Sequence, residues 1–269
     1  MSFLRKYLAA IQLFTRVPVR GTLAQRAGST PEMLRASVAH FPGVGWLAGL
    51  VACTAFALLG LGLPDNPFAP LVAAAGCTAA TVWLTGGSHE GGLANVANGL
   101  GAGAGRADAL DIMKAPHLRT GGMLALSLVL FAKVSLLAVL AAHSPTAVLA
   151  ALLGAHVLSR FWPLVLMRTT PYVGAEADAD GGLPLADRID LRTLAVAAGW
   201  CLPPLAVVLF VQGVEFAVLA LACSGLALGG MRWLFARRLE GYTRDCLGAA
   251  QQACELAFYL GAAVALGAA

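Results

Sequence analysis

Gly122-Met123-Leu124-Ala125-Leu126-Ser127-Leu128-Val129-Leu130-Phe131-Ala132-Lys133-Val134-Ser135-Leu136-Leu137-Ala138-Val139-Leu140-Ala141-Ala142 carries one charge, Lys133, in an otherwise apolar run. The hydrocarbon core of a bilayer asks for about 20 such residues in a helix, so the run predicts a membrane span. Six further runs approach that length: Val44–Leu63, Ala69–Gly87, Thr146–Met167, Thr193–Gln212, Val214–Met231 and Gly248–Ala268. Composition agrees. Of 269 residues, 59% are hydrophobic and 12% charged, against about 45–50% and 25% in soluble domains. Lipid offers backbone groups no partner, so an open chain crosses it only as helices. The expectation is an all-α, polytopic integral membrane helical bundle of about seven transmembrane helices, with residues 1–269 as a single membrane domain.

Lys and Arg fall in alternate connections. The head carries Arg5, Lys6, Arg16, Arg20, Arg26 and Arg35; the second loop Arg106, Lys114 and Arg119; the fourth Arg168, Arg188 and Arg192; the sixth Arg232, Arg237, Arg238 and Arg244. The connections Pro64–Phe68, His143–Pro145 and Gly213 carry none. The positive-inside rule then places the N-terminus and three loops (residues 88–121, 168–192 and 232–247) in the cytosol, and the C-terminus outside. The expected address is the bacterial inner membrane, multi-pass. A formal charge of +4 gives no argument for nucleic acid, and membrane topology accounts for it. The six cysteines lie mostly in apolar runs without a CxxC pair and read as small buried hydrophobes. Residues 1–40 hold six basic residues and no continuous apolar core, so no cleavable signal is expected. Within them Phe3–Phe14 reads as a helix with Phe3, Leu4, Tyr7, Leu8, Ile11 and Phe14 on one face. That pattern suits either an interfacial helix on the cytosolic leaflet or an ordinary docking helix.

Chemistry concentrates where the second run ends, in Thr85-Gly86-Gly87-Ser88-His89-Glu90-Gly91-Gly92-Leu93-Ala94-Asn95-Val96-Ala97-Asn98-Gly99. His89 can meet phosphate or a metal, and Glu90 can ligate a hard cation such as Mg²⁺; solvated loop residues are the plain alternative. Asn95 and Asn98, three apart, share a face if the segment is helical. Asp108–Gly122 reads as a short amphipathic helix broken at Pro116, with Lys114, His117 and Arg119 able to contact phosphate or to act as a basic membrane anchor. Glu255 lies two turns into the last run, where a carboxylate is costly; it serves a site or pairs with Lys133 or Arg160. The acidic stretch holding Glu176, Asp178, Asp180, Asp187 and Asp190 reads as a solvated connector or a flexible lid.

Four ordered motifs resemble the adenosylcobinamide-GDP ribazoletransferase (cobalamin-5′-phosphate synthase) family over nearly the whole chain. Phe14-Thr15-Arg16-Val17-Pro18-Val19 resembles F-(L)-T-R-(L/I)-P-V, and His40-Phe41-Pro42-Gly43-Val44-Gly45 resembles (Y/H)-F-P-x-V-G. Thr85–Asn95 resembles T-G-(A/G)-x-H-x-D-G-L-A-D, and Tyr242-Thr243-Arg244-Asp245-Cys246-Leu247-Gly248-Ala249 resembles (Y/x)-T-G-D-x-L-G-A, followed by Glu255. The chain departs from the pattern at Gly91, Asn95 and Asn98, where the family has Asp, and at Ala115, Pro116 and His117, where it has Asp, Ser and Arg.

The resemblance implies a Mg²⁺-dependent transfer joining adenosylcobinamide-GDP to α-ribazole or its 5′-phosphate, with GMP released. It implies His89, Glu90, Lys114 and Asp245 as catalytic residues. Arg16, Thr120, Arg119 and His117 are the substrate-binding candidates, and Glu90, Asn95, Asn98, Asp245 and Glu255 the Mg²⁺ candidates. Implied partners are the two substrates and membrane lipid, without nucleic acid; homo-oligomers or assembly with other corrinoid enzymes stay open. The departures keep a second expectation open, a catalytically inactive relative that binds corrinoid or nucleotide or scaffolds the assembly enzymes. A third, a small-solute transporter, rests only on the spans and their buried charges.

Overall fold

The structure is a computed structural model and describes residues 3–18, 30–101, 103, 105–114, 119–174 and 189–268. Eleven helices are found among the described residues: α1 (Phe3–Phe14), α2 (Pro31–Val38), α3 (Phe41–Gly62), α4 (Ala69–Thr85), α5 (Ser88–Gly101), α6 (Arg106–Lys114), α7 (Thr120–His143), α8 (Pro145–Thr169), α9 (Leu191–Gln212), α10 (Val214–Leu239) and α11 (Arg244–Ala268). The only extended pairing among them is a bridge between Tyr172 and Tyr242. The all-α membrane architecture stands.

The expected count of seven spans is corrected. Among the described residues five helices are long and apolar enough to cross a membrane, namely α3, α7, α8, α9 and α10, which makes six spans if α4 and α5 together form one broken span. α4 has 17 residues, a rise of only about 26 Å, and the chain then turns by 91° into α5. The turn is made by Gly86 (φ 74°) and Gly87 (φ 71°), a left-handed conformation that costs glycine nothing. α11 fails for another reason: Arg244, Asp245, Gln251, Gln252 and Glu255 make its first three turns polar.

The connecting segments are largely helical. Residues 88–101 form α5, the short helix read at Asp108 onward is present as α6, and α10 runs on to Leu239 through the sixth loop. Asp190 is the N-cap of α9, accepting from the Thr193 N–H at 2.7 Å. The Thr193 hydrogen bonds hold its carboxyl below the usual range. Glu176, Asp178, Asp180 and Asp187, the rest of the acidic stretch, lie outside the described residues.

α8 is the central helix. Of its apolar window 72% is buried, against 17% for α7, because α3, α7, α9 and α11 pack around it. Elsewhere large apolar side chains face outward, such as Phe131 and Phe210, as lipid requires. Two apolar cores stack along the bundle. One is built on Leu152, Leu137 and Phe258 and the other on Leu164, Phe235 and Cys254.

A polar belt separates the two cores. α8 contributes His156, Ser159 and Arg160, α11 contributes Gln251, Gln252 and Glu255, and α7 contributes Lys133, all buried. The Lys133 ammonium lies 2.6 Å from Glu255 Oε1. The same oxygen accepts from the Tyr259 hydroxyl at 3.1 Å, and Oε2 accepts from Gln251 at 2.7 Å. Arg160 donates to the His156 carbonyl at 2.7 Å and lies over the Phe41 ring. Of the two readings of Glu255, the structure supplies the pairing with Lys133.

α1 forms where its apolar face predicts. It packs on α2 and α3, as the docking alternative describes. Tyr7 donates to the Gly43 carbonyl at 3.0 Å and stacks on Trp200. The Trp200 indole N–H donates to His40 Nδ1 at 3.1 Å, and burial brings the His40 imidazole down to about 4, so it is a neutral acceptor.

Removing one member of a buried ion pair leaves the other uncompensated, at a cost of about 3–5 kcal/mol. Lys133→Met is therefore expected to destabilise strongly, and Lys133→Met/Glu255→Leu to recover much of the loss, measured by thermal unfolding in lipid nanodiscs.

Candidate functional site

The four sequence motifs, spread over some 230 residues, meet at one end of the bundle. Phe14 and Phe41 pack with ring centroids 4.2 Å apart, and Phe41 lies 5.7 Å from the His89 ring. The Arg16 N–H donates to the Leu84 carbonyl at 2.8 Å. Its side chain lies over the turn, where a Cβ on Gly86 would come within 2.8 Å of Arg16 Nε. α5 and α11 cross in backbone contact. A Cβ on Gly92 would sit 2.8 Å from the Asp245 carbonyl oxygen, and one on Gly248 would sit 3.0 Å from that of His89. Glycine at both positions lets the helices approach that closely.

The crossing sets Asn95 against Asp245, Nδ2 donating to Oδ2 at 3.2 Å. Two cavities open on either side and share Arg244 and Asp245 as a common wall. One, of about 240 Å³, is lined mainly by Phe14, Phe41, Leu164 and Met167, with His89 and Ser88 at its edge. The other, of about 340 Å³, is lined by Asn95, Lys114, Tyr172 and Thr243 among others. Its far side is braced by the Tyr172–Tyr242 bridge, in which Val173 N–H donates to the Tyr242 carbonyl at 2.9 Å. Arg106 ties the α5–α6 unit to the same corner, donating to the Leu239 carbonyl at 2.8 Å.

The candidate residues separate accordingly. His89, Asn95, Lys114 and Asp245 line the cavities; Lys114 is exposed, 3.6 Å from Asp111. Glu90 is buried behind them, its Oε1 accepting from Gln252 at 3.0 Å, while its Oε2 and His89 Nε2 are buried without a hydrogen-bond partner among the described residues. Asn98 serves the fold, its Oδ1 accepting from the Gly122 N–H at 2.7 Å at the start of α7. Glu255 belongs to the polar belt. Arg16, Arg119 and Thr120 are exposed, and His117 lies outside the described residues. Among the described residues no three His, Cys, Asp or Glu side chains gather as a metal cage.

Gln251 and Gln252 escaped the sequence reading. Gln252 donates both to Glu90 and, at 3.0 Å, to Gln251 Oε1. Gln251 in turn donates to Ser159 and Glu255. A hydrogen-bonded chain therefore runs from Lys133 through Glu255, Gln251 and Gln252 to Glu90. The available signal was Gln251 and Glu255 at i and i+4 in an apolar run, which puts both on one helix face.

The family model described as "Cobalamin-5-phosphate synthase" matches residues 6–263. An adenosylcobinamide-GDP ribazoletransferase of Polaromonas naphthalenivorans (strain CJ2) is 49% identical, over 99% of this chain and 100% of that relative. A protein of the same name from Albidiferax ferrireducens is 47% identical over 98% of this chain and 99% of its own length. One from Leptothrix cholodnii is 41% identical over 96% and 94%. No solved structure matches the chain.

Gln252→Leu removes the hydrogen bond to Glu90 Oε1. Leaving a buried polar group unsatisfied costs about 1–3 kcal/mol, and more for a charge. The variant is expected to unfold at a lower temperature, and Glu90→Leu/Gln252→Leu to regain part of the difference, read by the same thermal scan.

Proposed function

The chain belongs to the cobalamin-5-phosphate synthase family, and we propose that its two adjoining cavities seat the two halves of that family's transfer across Asp245. It is a multi-pass membrane transferase of cobalamin nucleotide-loop assembly. The substrates are adenosylcobinamide-GDP and α-ribazole or its 5′-phosphate. A ribose hydroxyl oxygen forms a new bond to the phosphorus that carries the cobinamide. The bond from that phosphorus to the bridging oxygen breaks, GMP leaves with the oxygen, and the hydroxyl proton passes to a base. Such transfers depend mainly on alignment and on neutralising phosphate charge.

The shared Arg244–Asp245 wall supports this reading most directly, since a two-substrate displacement needs two sites that meet at one point. Lys114 and the N-terminus of α11 supply positive charge on the polar side. His89, on the other side of the junction, is placed to accept the hydroxyl proton on its imidazole. Behind it the Gln252 hydrogen bond holds Glu90 in one orientation.

The donors fit a loosely held Mg²⁺, not an all-protein cage. Mg²⁺ commonly takes one or two protein oxygens and fills its remaining positions with water and substrate phosphate. Asp245 and Asn95 would supply those two oxygens. The ion would neutralise diphosphate charge. Asn98 and Glu255 are committed elsewhere by their hydrogen bonds and ion pair. The end of the bundle that holds the site also carries Arg106, Lys114, Arg237, Arg238 and Arg244, a basic bias that supports a cytosolic site in a protein of the bacterial inner membrane.

Purified protein in lipid, given both substrates and Mg²⁺, should release GMP in step with corrinoid product; no GMP at any Mg²⁺ concentration overturns the reading. His89→Asn should lower kcat by about 10²–10⁴-fold, the usual worth of a positioned base. Asn95→Asp sets a second carboxylate about 3.2 Å from Asp245, and like charges that close are relieved by a shared proton or by a bound cation. Its thermal stability is expected to rise with Mg²⁺ more steeply than that of the natural protein; equal Mg²⁺ responses would remove Asn95 from the cation site.

A further inference from the structure

We infer that the apolar cavity is the subsite for the benzimidazole base of ribazole, and that the guanine of the other substrate sits outside it. The inference rests on the transfer proposed above and assigns which substrate enters which side. The cavity's volume, about 240 Å³, is within the scale of one small bicycle and far too small for a corrin macrocycle.

Its chemistry separates the two remaining rings. Phe14, Phe41, Leu164 and Met167 present carbon and sulfur. Leu164 and Met167 are themselves buried from outside solvent, and Phe14 and Phe41 form one continuous aromatic wall. Guanine carries hydrogen-bonding groups around most of its edge, and each one buried against such walls without a partner costs free energy. 5,6-Dimethylbenzimidazole offers two methyl groups, a flat aromatic face and a single free ring nitrogen. Offset or edge-on packing of that face against Phe14 or Phe41 is the favoured geometry for aromatic pairs. The polar edge of the cavity, at His89, Arg244 and Asp245, is where the attached ribose must emerge to bring its hydroxyl to the junction. The polar cavity, with Lys114 and Asn95, is left for the diphosphate.

Ser88 is exposed at the cavity edge, so Ser88→Trp can narrow the entrance without disturbing the core. The variant is expected to raise KM for α-ribazole by about tenfold or more while leaving KM for adenosylcobinamide-GDP within about twofold, the discrimination a shaped apolar pocket commands. A rise in KM for adenosylcobinamide-GDP instead overturns the assignment in favour of guanine. Unchanged constants for both overturn it and leave the cavity to a lipid acyl chain. Should the natural protein release no GMP, the proposed transfer fails on its own. Calorimetric titration with free 5,6-dimethylbenzimidazole then decides the subsite: binding that Ser88→Trp weakens supports it, and no binding to the natural protein overturns it.

Discussion

The buried contact between Lys133 and Glu255, 2.6 Å apart, constrains the rest of the bundle. A charge in the interior of a membrane protein is tolerated only with a partner, so α7 and α11 cannot slide or rotate against each other without exposing one of the two. The consequences spread outward through α11. Gln251 can satisfy Glu255 and Ser159 together only in this register, and Gln252, the next residue, then reaches Glu90. The register also decides which residues stand one turn and more toward the N-terminus. Gly248 lies against His89, and Asp245 lies against Asn95 and Gly92. The site is thus positioned by a belt that touches no substrate.

The belt explains why the last helix is so little apolar. Burying Gln251, Gln252 and Glu255 side by side would be prohibitive in lipid, but here each has a partner. The outward face of the bundle needs no such provision and is left to side chains like Phe131 and Phe210. Small residues at the crossings, Gly92 and Gly248 above all, let polar side chains from neighbouring helices reach each other directly, as close packing in membranes permits.

Replacement of Asp by Asn at positions 95 and 98, relative to the family pattern, has two different meanings in space. Asn98 keeps the one function an Asp oxygen would have had there, acceptance of the Gly122 N–H. Asn95 changes the electrostatics instead, because its Nδ2 can donate to Asp245 where a carboxylate would repel it. The same motif letter changed twice therefore keeps a backbone contact at Asn98 and changes the charge beside Asp245 only at Asn95.

From the sequence, apolar run length and composition determined the membrane class and five of the spans, because a bilayer imposes one length on every helix that crosses it. The ordered motifs determined the family and drew attention to His89, Asn95, Lys114 and Asp245. Other features depended on contacts between residues far apart in the chain. The right-angle turn at Gly86–Gly87 was hidden because an apolar run records length and not direction. The choice between a site and an ion pair for Glu255 required knowing that Lys133 faces it from another helix. The two cavities and their shared wall were equally invisible, since a cavity is a property of surfaces brought together. Periodicity assigns a residue to a face of its own helix; only packing decides what that face meets.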